Sequence, residues 1–402
     1  MDVQSSGQAG ESARKSVADV EIVERPFGVD TQRFLDVARR VFKGDPAWIA
    51  PLDMDMGDRM NPKKNPFFEH AEGTTFIAVK NGVDVGRATA QIDKLHIDRY
   101  KDDTGFFGFL DTIDDPAVAK ALLDAAADWL RKKGMKKMRG PMSLSINEEM
   151  GCLIEGFDTP PAILMPHNRS YQGGLIEAAG LTKEKDVFAW KYEVGEPPVR
   201  ARKAHDEVLR MPEVRIRQMD KSNMEAETRT VMEIFNEVWQ DNWGFVPMTN
   251  SELKKMAADL KMILVPDLAL VAEVNGETAA MSIALPNINE MIGDLDGKLF
   301  PLGLPKLLWR LKVKGPTSAR LVLLGIKKKF RIQKKYGGLS TALYVEMNDR
   351  GKRIGMKWGE LSWTLEDNAP VNLGIKMMGG KVYKKYRVYS QPLVPQTAAP
   401  AL

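Results

Sequence analysis

The chain has 402 residues, 44% of them hydrophobic and 28% charged, a globular composition at a length comfortable for two domains. A formal net charge of only +4 gives no whole-protein basic field, so no nucleic-acid partner is expected and any anion site must come from a local cluster. The single cysteine, Cys152, excludes an internal disulfide and a multi-cysteine zinc site, and the four histidines lack metal-ligand spacing, so no metal is expected and a reducing cytoplasm is the simplest compartment. Residues 1–20 are polar and small, which predicts a disordered tail rather than a signal peptide. No later stretch reaches the roughly 18 to 20 apolar residues of a spanning helix. A soluble protein, or one peripheral to the inner membrane, is therefore expected.

Residues 75–80 and 83–91 read as strands joined by Asn81-Gly82, the pair best suited to a two-residue hairpin turn. Residues 268–274 and 277–285 repeat this around Asn275-Gly276. After each hairpin come an insertion, an apolar strand (105–110; 320–326), a helix (116–133; 338–353) and a further strand (136–140; 356–363). Each half then supplies an Asn, a short helix and a Gly-containing turn into a last strand: Asn168 and Gly180 in one, Asn372, Gly379 and Gly380 in the other. This order predicts a duplicated domain. The first copy is placed at 21–195, the second at 213–391, with a polar linker at 196–212 and a tail at 392–402. The basic piece 199–210 is helix-compatible and able to pack on one half.

The chemically richest segment is a strand that runs into a Gly-rich turn opening a helix, a recurring anion site because backbone N–H groups and the positive helix end converge there. Strand 321–326 leads through 327–335 to Gly337-Gly338, and six of the nine residues 327–335 are cationic. The following helix carries Leu339, Ala342, Leu343 and Met347 on one face.

Lys335-Tyr336-Gly337-Gly338-Leu339-Ser340 resembles the phosphate loop of the GNAT acyltransferase superfamily, with Lys at its first position and Ser at its last as departures. The strand ending in Trp363 and the run from Asn368 to Gly380 resemble that family's closing segment. The resemblance implies an α/β fold of two tandem GNAT-like domains, each a mixed, mostly antiparallel sheet flanked by helices. It implies acyl-coenzyme A as co-substrate. Backbone groups of Leu324, Gly325 and Ile326 would then meet the pantetheine arm, Tyr336 to Ser340 (Tyr336, Gly337, Gly338, Leu339, Ser340) would hold the pyrophosphate with Lys335 also binding the cofactor, and Asn368 would lie near the arm. The first half has Asp111-Thr112-Ile113-Asp114-Asp115-Pro116 where the second has its Gly turn, and these carboxylates would repel a pyrophosphate, so a single cofactor site is expected.

Residues 147–168 mix carboxylates, prolines and apolar side chains without helical or strand period, which suggests an ordered loop lining a pocket. An attacking amine must be neutral, so a carboxylate or imidazole must accept its proton. Glu149, Asp158 and His167 are the candidates, against the plainer reading of each as a cap, a solvated carboxylate or a packed His. Cys152 is read as packing, and Tyr383, Tyr386 and Tyr389 as minor candidates for stabilising the leaving thiolate. The insertion 285–317, above all 299–314, interleaves large apolar residues with Lys and Arg, the composition of an interfacial helix, a lid, or a helix buried against the other half. Taken over residues 20–392, the chain resembles a bacterial family that includes the ceramide synthases. That resemblance implies fatty acyl transfer to the amine of a long-chain, sphingoid base. An acetyltransferase acting on a small soluble amine and a non-catalytic acyl-coenzyme A-binding protein are the other readings.

Overall fold

The computed structural model describes residues 20–393; the predicted tails, 1–20 and 392–402, lie outside the described residues apart from Val20, Pro392 and Leu393. The first half runs through β1 (Glu21–Pro26), α1 (Thr31–Val41), α2 (Asp53–Arg59), the hairpin β2 (Ala71–Lys80) and β3 (Val83–Asp93), α3 (Lys94–Tyr100), β4 (Thr104–Thr112), α4 (Pro116–Lys132) and β5 (Lys137–Gly140). A small ribbon of β6 (Met142–Ser143) and β7 (Glu149–Met150) follows, then β8 (Cys152–Glu155), α5 (Gln172–Ala178) and β9 (Thr182–Glu193). Helix α6 (Val199–Leu209) leads to the second half: β10 (Val214–Gln218), α7 (Met224–Trp239), α8 (Asn250–Ile263), the hairpin β11 (Ala269–Val274) and β12 (Glu277–Pro286), α9 (Asn289–Ile292) and α10 (Gly303–Val313). It ends with β13 (Ser318–Ile326), α11 (Lys328–Arg331), α12 (Leu339–Arg353), β14 (Trp358–Leu365), α13 (Ala369–Met377) and β15 (Lys381–Pro392).

Both hairpins turn where the sequence places them. Asn81 and Gly82 have φ of 53° and 74°, and Asn275 and Gly276 have 52° and 78°, the left-handed pair that a twisted two-residue hairpin demands. Thirteen strands form one sheet, ordered β1-β2-β3-β4-β5-β15-β9-β14-β13-β12-β11-β10, with β8 alongside β15. The order reads alike from either end, as a duplication requires. In each half only one neighbouring pair is parallel, β4 with β5 and β13 with β14; the rest are antiparallel. The terminal strands are exchanged at the centre: β15 of the second half pairs with β5 of the first, while β9 of the first half pairs with β14 of the second.

Helices cover both faces. The apolar stripe of α4 (Val118, Leu122, Ala126, Leu130) packs on Ala88, Ala90 and Phe107, and the matching stripe of α12 (Leu339, Ala342, Leu343) packs on Leu270, Ala272 and Ala280. On the other face α1 covers the first half and α7 the second. The segment read as a linker carries α6, whose Val208 shares a core with Leu339 and Leu343, and Arg202 there forms a two-pronged pair with Asp349 at 2.6 and 2.8 Å. No described helix is long and apolar enough to cross a membrane.

Candidate active site

Strands β13 and β14 pair only from Ser318 opposite Trp358 to Leu321 opposite Leu361, and then part. Beyond that point β13 keeps its partner on one edge, with Leu324, Gly325 and Ile326 opposite Ser282, Met281 and Ala280 of β12, while among the described residues its other edge has no strand beside it. Parallel strands that diverge leave a wedge lined by free backbone N–H and C=O groups, able to pair with an extended ligand as a sheet edge would. The chain then passes through the basic segment to Gly338, which caps α12 without any side-chain hydrogen bond. The N–H groups of Gly338, Leu339, Ser340 and Thr341 donate to no described group, so the start of a 15-residue helix presents its positive end uncapped. Of the nearby cations, Lys335 pairs with Glu213 and Lys329 with Glu277, while Lys328, Arg331 and Lys334 are exposed and have no carboxylate partner among the described residues.

The two glycines of the turn do different things. A Cβ on Gly338 would sit 3.0 Å from Val208 Cγ2, so this glycine lets α6 approach α12 and does not open the turn toward a ligand. A Cβ on Gly337 would meet only the Lys334 carbonyl, at 3.3 Å, which makes it the open one.

The equivalent places in the first half are filled. Strands β4 and β5 also part after three paired residues, but a Cβ on Gly108 would lie 2.0 Å from the Met142 carbonyl, and the Phe109 N–H donates to Ser143 Oγ at 3.2 Å, so the β6–β7 ribbon occupies the wedge. The helix start is closed as well: Asp115 accepts from the Ala117 N–H at 2.9 Å and caps α4, and Lys80 pairs with it. Asp111 is buried against Arg87.

At the foot of the open wedge lies a buried polar cluster. Glu360, fully buried, accepts hydrogen bonds from Ser362 Oγ and from the Tyr383 hydroxyl. Arg320 Nε donates to Ser362 Oγ at 2.7 Å and lies 3.7 Å from the Glu360 carboxylate, which balances its charge. Burial and the Glu360 charge push the Tyr383 hydroxyl well above its ordinary pKa, so it stays protonated. Tyr386, fully buried next to the cluster, is raised by burial in the same way, and its hydroxyl has no partner among the described residues. The cluster also grips the first half. Arg320 donates to the carbonyls of Ile163 and Leu164 at 2.8 and 3.0 Å, and Lys384, buried on β15, donates to those of Gly156 and Thr159, both at 2.6 Å. Burial lowers Lys384 to about 8.

The residues singled out in the 147–168 loop are held separately. Glu149 pairs with Arg59 at 2.7 Å, beside Glu148, which pairs with the same guanidinium at 2.9 Å. His167 is buried, with Nε2 3.1 Å from Asp45 Oδ2 and Nδ1 without a partner; burial lowers its pKa and leaves the imidazole neutral. Asp158 is exposed at the loop surface. Cys152 is buried and its thiol is pushed up by burial, so it stays protonated. Asn368 stands at the N-cap of α13 without a side-chain capping bond and donates its backbone N–H to Leu365 O at 3.1 Å, while Asn372, one turn on, holds the end of β14 through Nδ2 on the same carbonyl at 2.9 Å. Among the described residues no group of three or more His, Cys, Asp or Glu is placed to hold a metal ion.

Sequence reasoning missed Arg320, Glu360, Ser362 and Lys384. The signal was present in the strands themselves, since a lone Arg in Ser-Ala-Arg-Leu-Val-Leu-Leu and a lone Glu in Trp-Gly-Glu-Leu-Ser-Trp must be either solvated or paired inside.

Two halves of this topology, each with a parting β4–β5-type pair and a helix starting at the wedge, define a tandem GNAT fold. A tandem GNAT protein from the clavulanic acid biosynthesis pathway, determined without acetyl-coenzyme A, matches with a TM-score of 0.56 at 11% identity, over 94% of this chain and 100% of that one. No family model matches the chain. It is, however, 42% identical over 378 residues to the bacterial ceramide synthase of Caulobacter vibrioides, covering 94% of this chain and 98% of that protein. It is also 40% identical over 367 residues to protein YghO of Escherichia coli, covering 90% and 93%. The chain belongs to this bacterial ceramide synthase family and is an acyl-coenzyme A N-acyltransferase.

Proposed function

We propose that the enzyme transfers a fatty acyl group from coenzyme A to the amine of a long-chain, sphingoid-type base. The observation that carries this reading is the contrast between the halves: one wedge and one helix start are open in the second, and both are filled in the first. The pantetheine arm lies along Leu324, Gly325 and Ile326, with Asn368 across the wedge. The pyrophosphate sits on Tyr336 to Ser340, and the exposed cations, Lys335 among them, meet the remaining phosphate. The functional units are 21–195, which presents the acceptor loop, and 213–391, which holds the donor.

The amine attacks the thioester carbonyl directly, its C–N bond forming as the C–S bond breaks. Glu360 accepts the proton that the amine sheds, and Tyr383 gives its proton to the departing thiolate and regains one from Glu360 across their hydrogen bond, so protons balance without an added acid. On the acceptor side, His167 offers an unprotonated Nδ1 with Nε2–H fixed on Asp45, and Glu149 and Asp158 supply negative charge that attracts an ammonium group. The likeness to the ceramide synthase of Caulobacter vibrioides supports the sphingoid acceptor. So does α10, whose exposed Leu308, Trp309 and Val313 stand among Lys306, Arg310, Lys312 and Lys314 and suit contact with the cytoplasmic face of an anionic membrane.

The test of the donor site is calorimetry with coenzyme A. Ser340→Asp places a carboxylate in the first turn of α12, two residues past its N-cap Gly338, where its charge opposes a phosphate, and should weaken binding at least tenfold with the fold intact by circular dichroism. Unchanged affinity removes the pyrophosphate from this turn.

A further inference from the structure

A cavity enclosing about 60 Å³ lies between the sheet and α12, and its walls include Ala284, Ala319, Leu321, Leu361, Met347 and Met356. We infer that this cavity receives the distal end of the donor's acyl chain, so that it sets chain-length preference; the inference rests on the acyl-coenzyme A site proposed above. Its lining is apolar, and the polar side chains Tyr192 and Asn348 at its margin are engaged with each other, the Tyr192 hydroxyl donating to Asn348 Oδ1 at 2.9 Å. Such a space is several times larger than the roughly 10 to 15 Å³ that admits a water, and its apolar walls offer water few partners, which favours hydrocarbon there.

The position identifies which hydrocarbon. Leu321 and Leu361 are the last paired residues before β13 and β14 part, so the cavity begins at the foot of the wedge. Ala319 and Leu321 flank Arg320, and Gly359 and Leu361 flank Glu360; because side chains alternate along a strand, the cavity and the polar cluster lie on opposite faces of the sheet. The acceptor amine must reach the cluster's face. The cavity is roofed instead by Met347 and Gly351 of α12, the helix whose first turn faces the donor's phosphates, so one helix covers both ends of the donor. Three methionines in the lining, Met347, Met356 and Met378, can change rotamer to admit a chain longer than the resting space. Each methylene taken up contributes about 0.8 kcal/mol, roughly fourfold in affinity.

The experiment uses the full-length protein and a palmitoyl-coenzyme A bearing a diazirine at the end of its chain. Irradiation should attach it to peptides containing Met347 or Met356, and excess coenzyme A should block the reaction. A plug, Gly351→Leu, should reduce that adduct and lower the ratio of kcat/KM for palmitoyl- over hexanoyl-coenzyme A at least tenfold. A Cβ at Gly351 would find its nearest neighbour, Met356 Cβ, at 3.7 Å, so Gly351→Ala gives a milder plug should leucine impair folding, and Met347→Ala, which enlarges the space, should move the ratio the other way. An adduct mapped to α10 or to the first half, or a folded plug variant with an unaltered ratio, overturns the assignment. So does a plug that changes preference for the length of the base rather than of the acyl donor. Labelling that coenzyme A does not block shows that the donor site itself is wrongly placed, and the chain chamber falls with it.

Discussion

Lys384 and Arg320 are both buried, but their charges are handled differently. Arg320 has Glu360 at 3.7 Å, whereas among the described residues Lys384 donates only to two backbone carbonyls of the acceptor loop and has no carboxylate within salt-bridge distance. Burial therefore lowers Lys384 to about 8, against an unfolded value near 10.5. Between those values the unfolded chain binds the extra proton, so this group makes the protein more stable as pH rises from about 8 to 10.5. The difference in unfolding free energy between wild type and Lys384→Met, measured by urea titration, should grow by roughly 3 kcal/mol across that window. A difference that stays flat would mean that Lys384 is neutral, or solvated, throughout. Glu360 carries the chemistry in the proposed reaction, and Glu360→Gln keeps its size and its bond from Ser362 while removing the base. It should lower kcat by about 10² to 10⁴ with little change in KM for the acyl donor, and steady-state kinetics retaining wild-type kcat would remove it from proton transfer. None of these partnerships was visible in sequence. A charged residue in an apolar strand announces that it needs a partner, but which residue supplies one depends on which strands become neighbours.

Local chemistry made most elements legible. The two Asn-Gly turns, the β4–α4 and β13–α12 units and the glycine turn all appear where composition and period place them, because each depends on residues close in sequence. Distant contacts decided the rest: whether α10 would be a buried helix or an exposed one was open in its sequence, since the same mixture of leucine, tryptophan and lysine suits either. In the structure it has no buried residue, Leu308, Trp309 and Val313 are 57%, 61% and 63% exposed, and Phe300 and Leu302 beside it are 74% and 75% exposed. Asp294 binds Lys306 and Arg310, leaving Lys312 and Lys314 without a carboxylate partner among the described residues. An apolar ridge flanked by cations suits an anionic lipid surface. Sedimentation with vesicles containing phosphatidylglycerol should therefore pellet the wild type, and more weakly as salt rises. The pair Leu308→Asp and Trp309→Asp should abolish pelleting while acylation of a short, water-soluble amine continues. Wild-type protein left in the supernatant at low salt would rule out the membrane contact.

The exchange of terminal strands joins the two halves into one sheet. Alternation along a strand tells which face is buried, but not which neighbour lies at its edge. Strands β9 and β15 occupy equivalent places in a duplicated pattern, so either could close either half, and their sequences did not distinguish the two arrangements. In the structure β15 pairs with β9 from Lys381 to Ser390, while its other edge meets β8 from Lys385 to Arg387 and β5 from Tyr389 to Pro392, with Tyr389 opposite both Gly140 and Lys183. Strand β14 in turn depends on β9, with Leu361 opposite Trp190. A second half expressed alone, residues 213–393, would lose β5, β8 and β9, the three strands paired with β15, and with β9 the outer neighbour of β14, exposing long edges and the side chains of Tyr386 and Val388, which are now fully buried. It would also lose the acceptor loop that Arg320 and Lys384 hold, leaving two cations without their carbonyl partners. The donor wedge belongs entirely to this half by sequence, yet one of its walls, β14, is held in place by the other half. The isolated half should accordingly be aggregated or dimeric by light scattering and bind coenzyme A at least tenfold more weakly than the whole chain, and co-expression with residues 20–195 should restore a monomeric complex that binds normally. A monomeric, cooperatively melting second half with full affinity would show that the exchanged strands are dispensable to the donor site, and that each half closes on its own terminal strand when the other is absent.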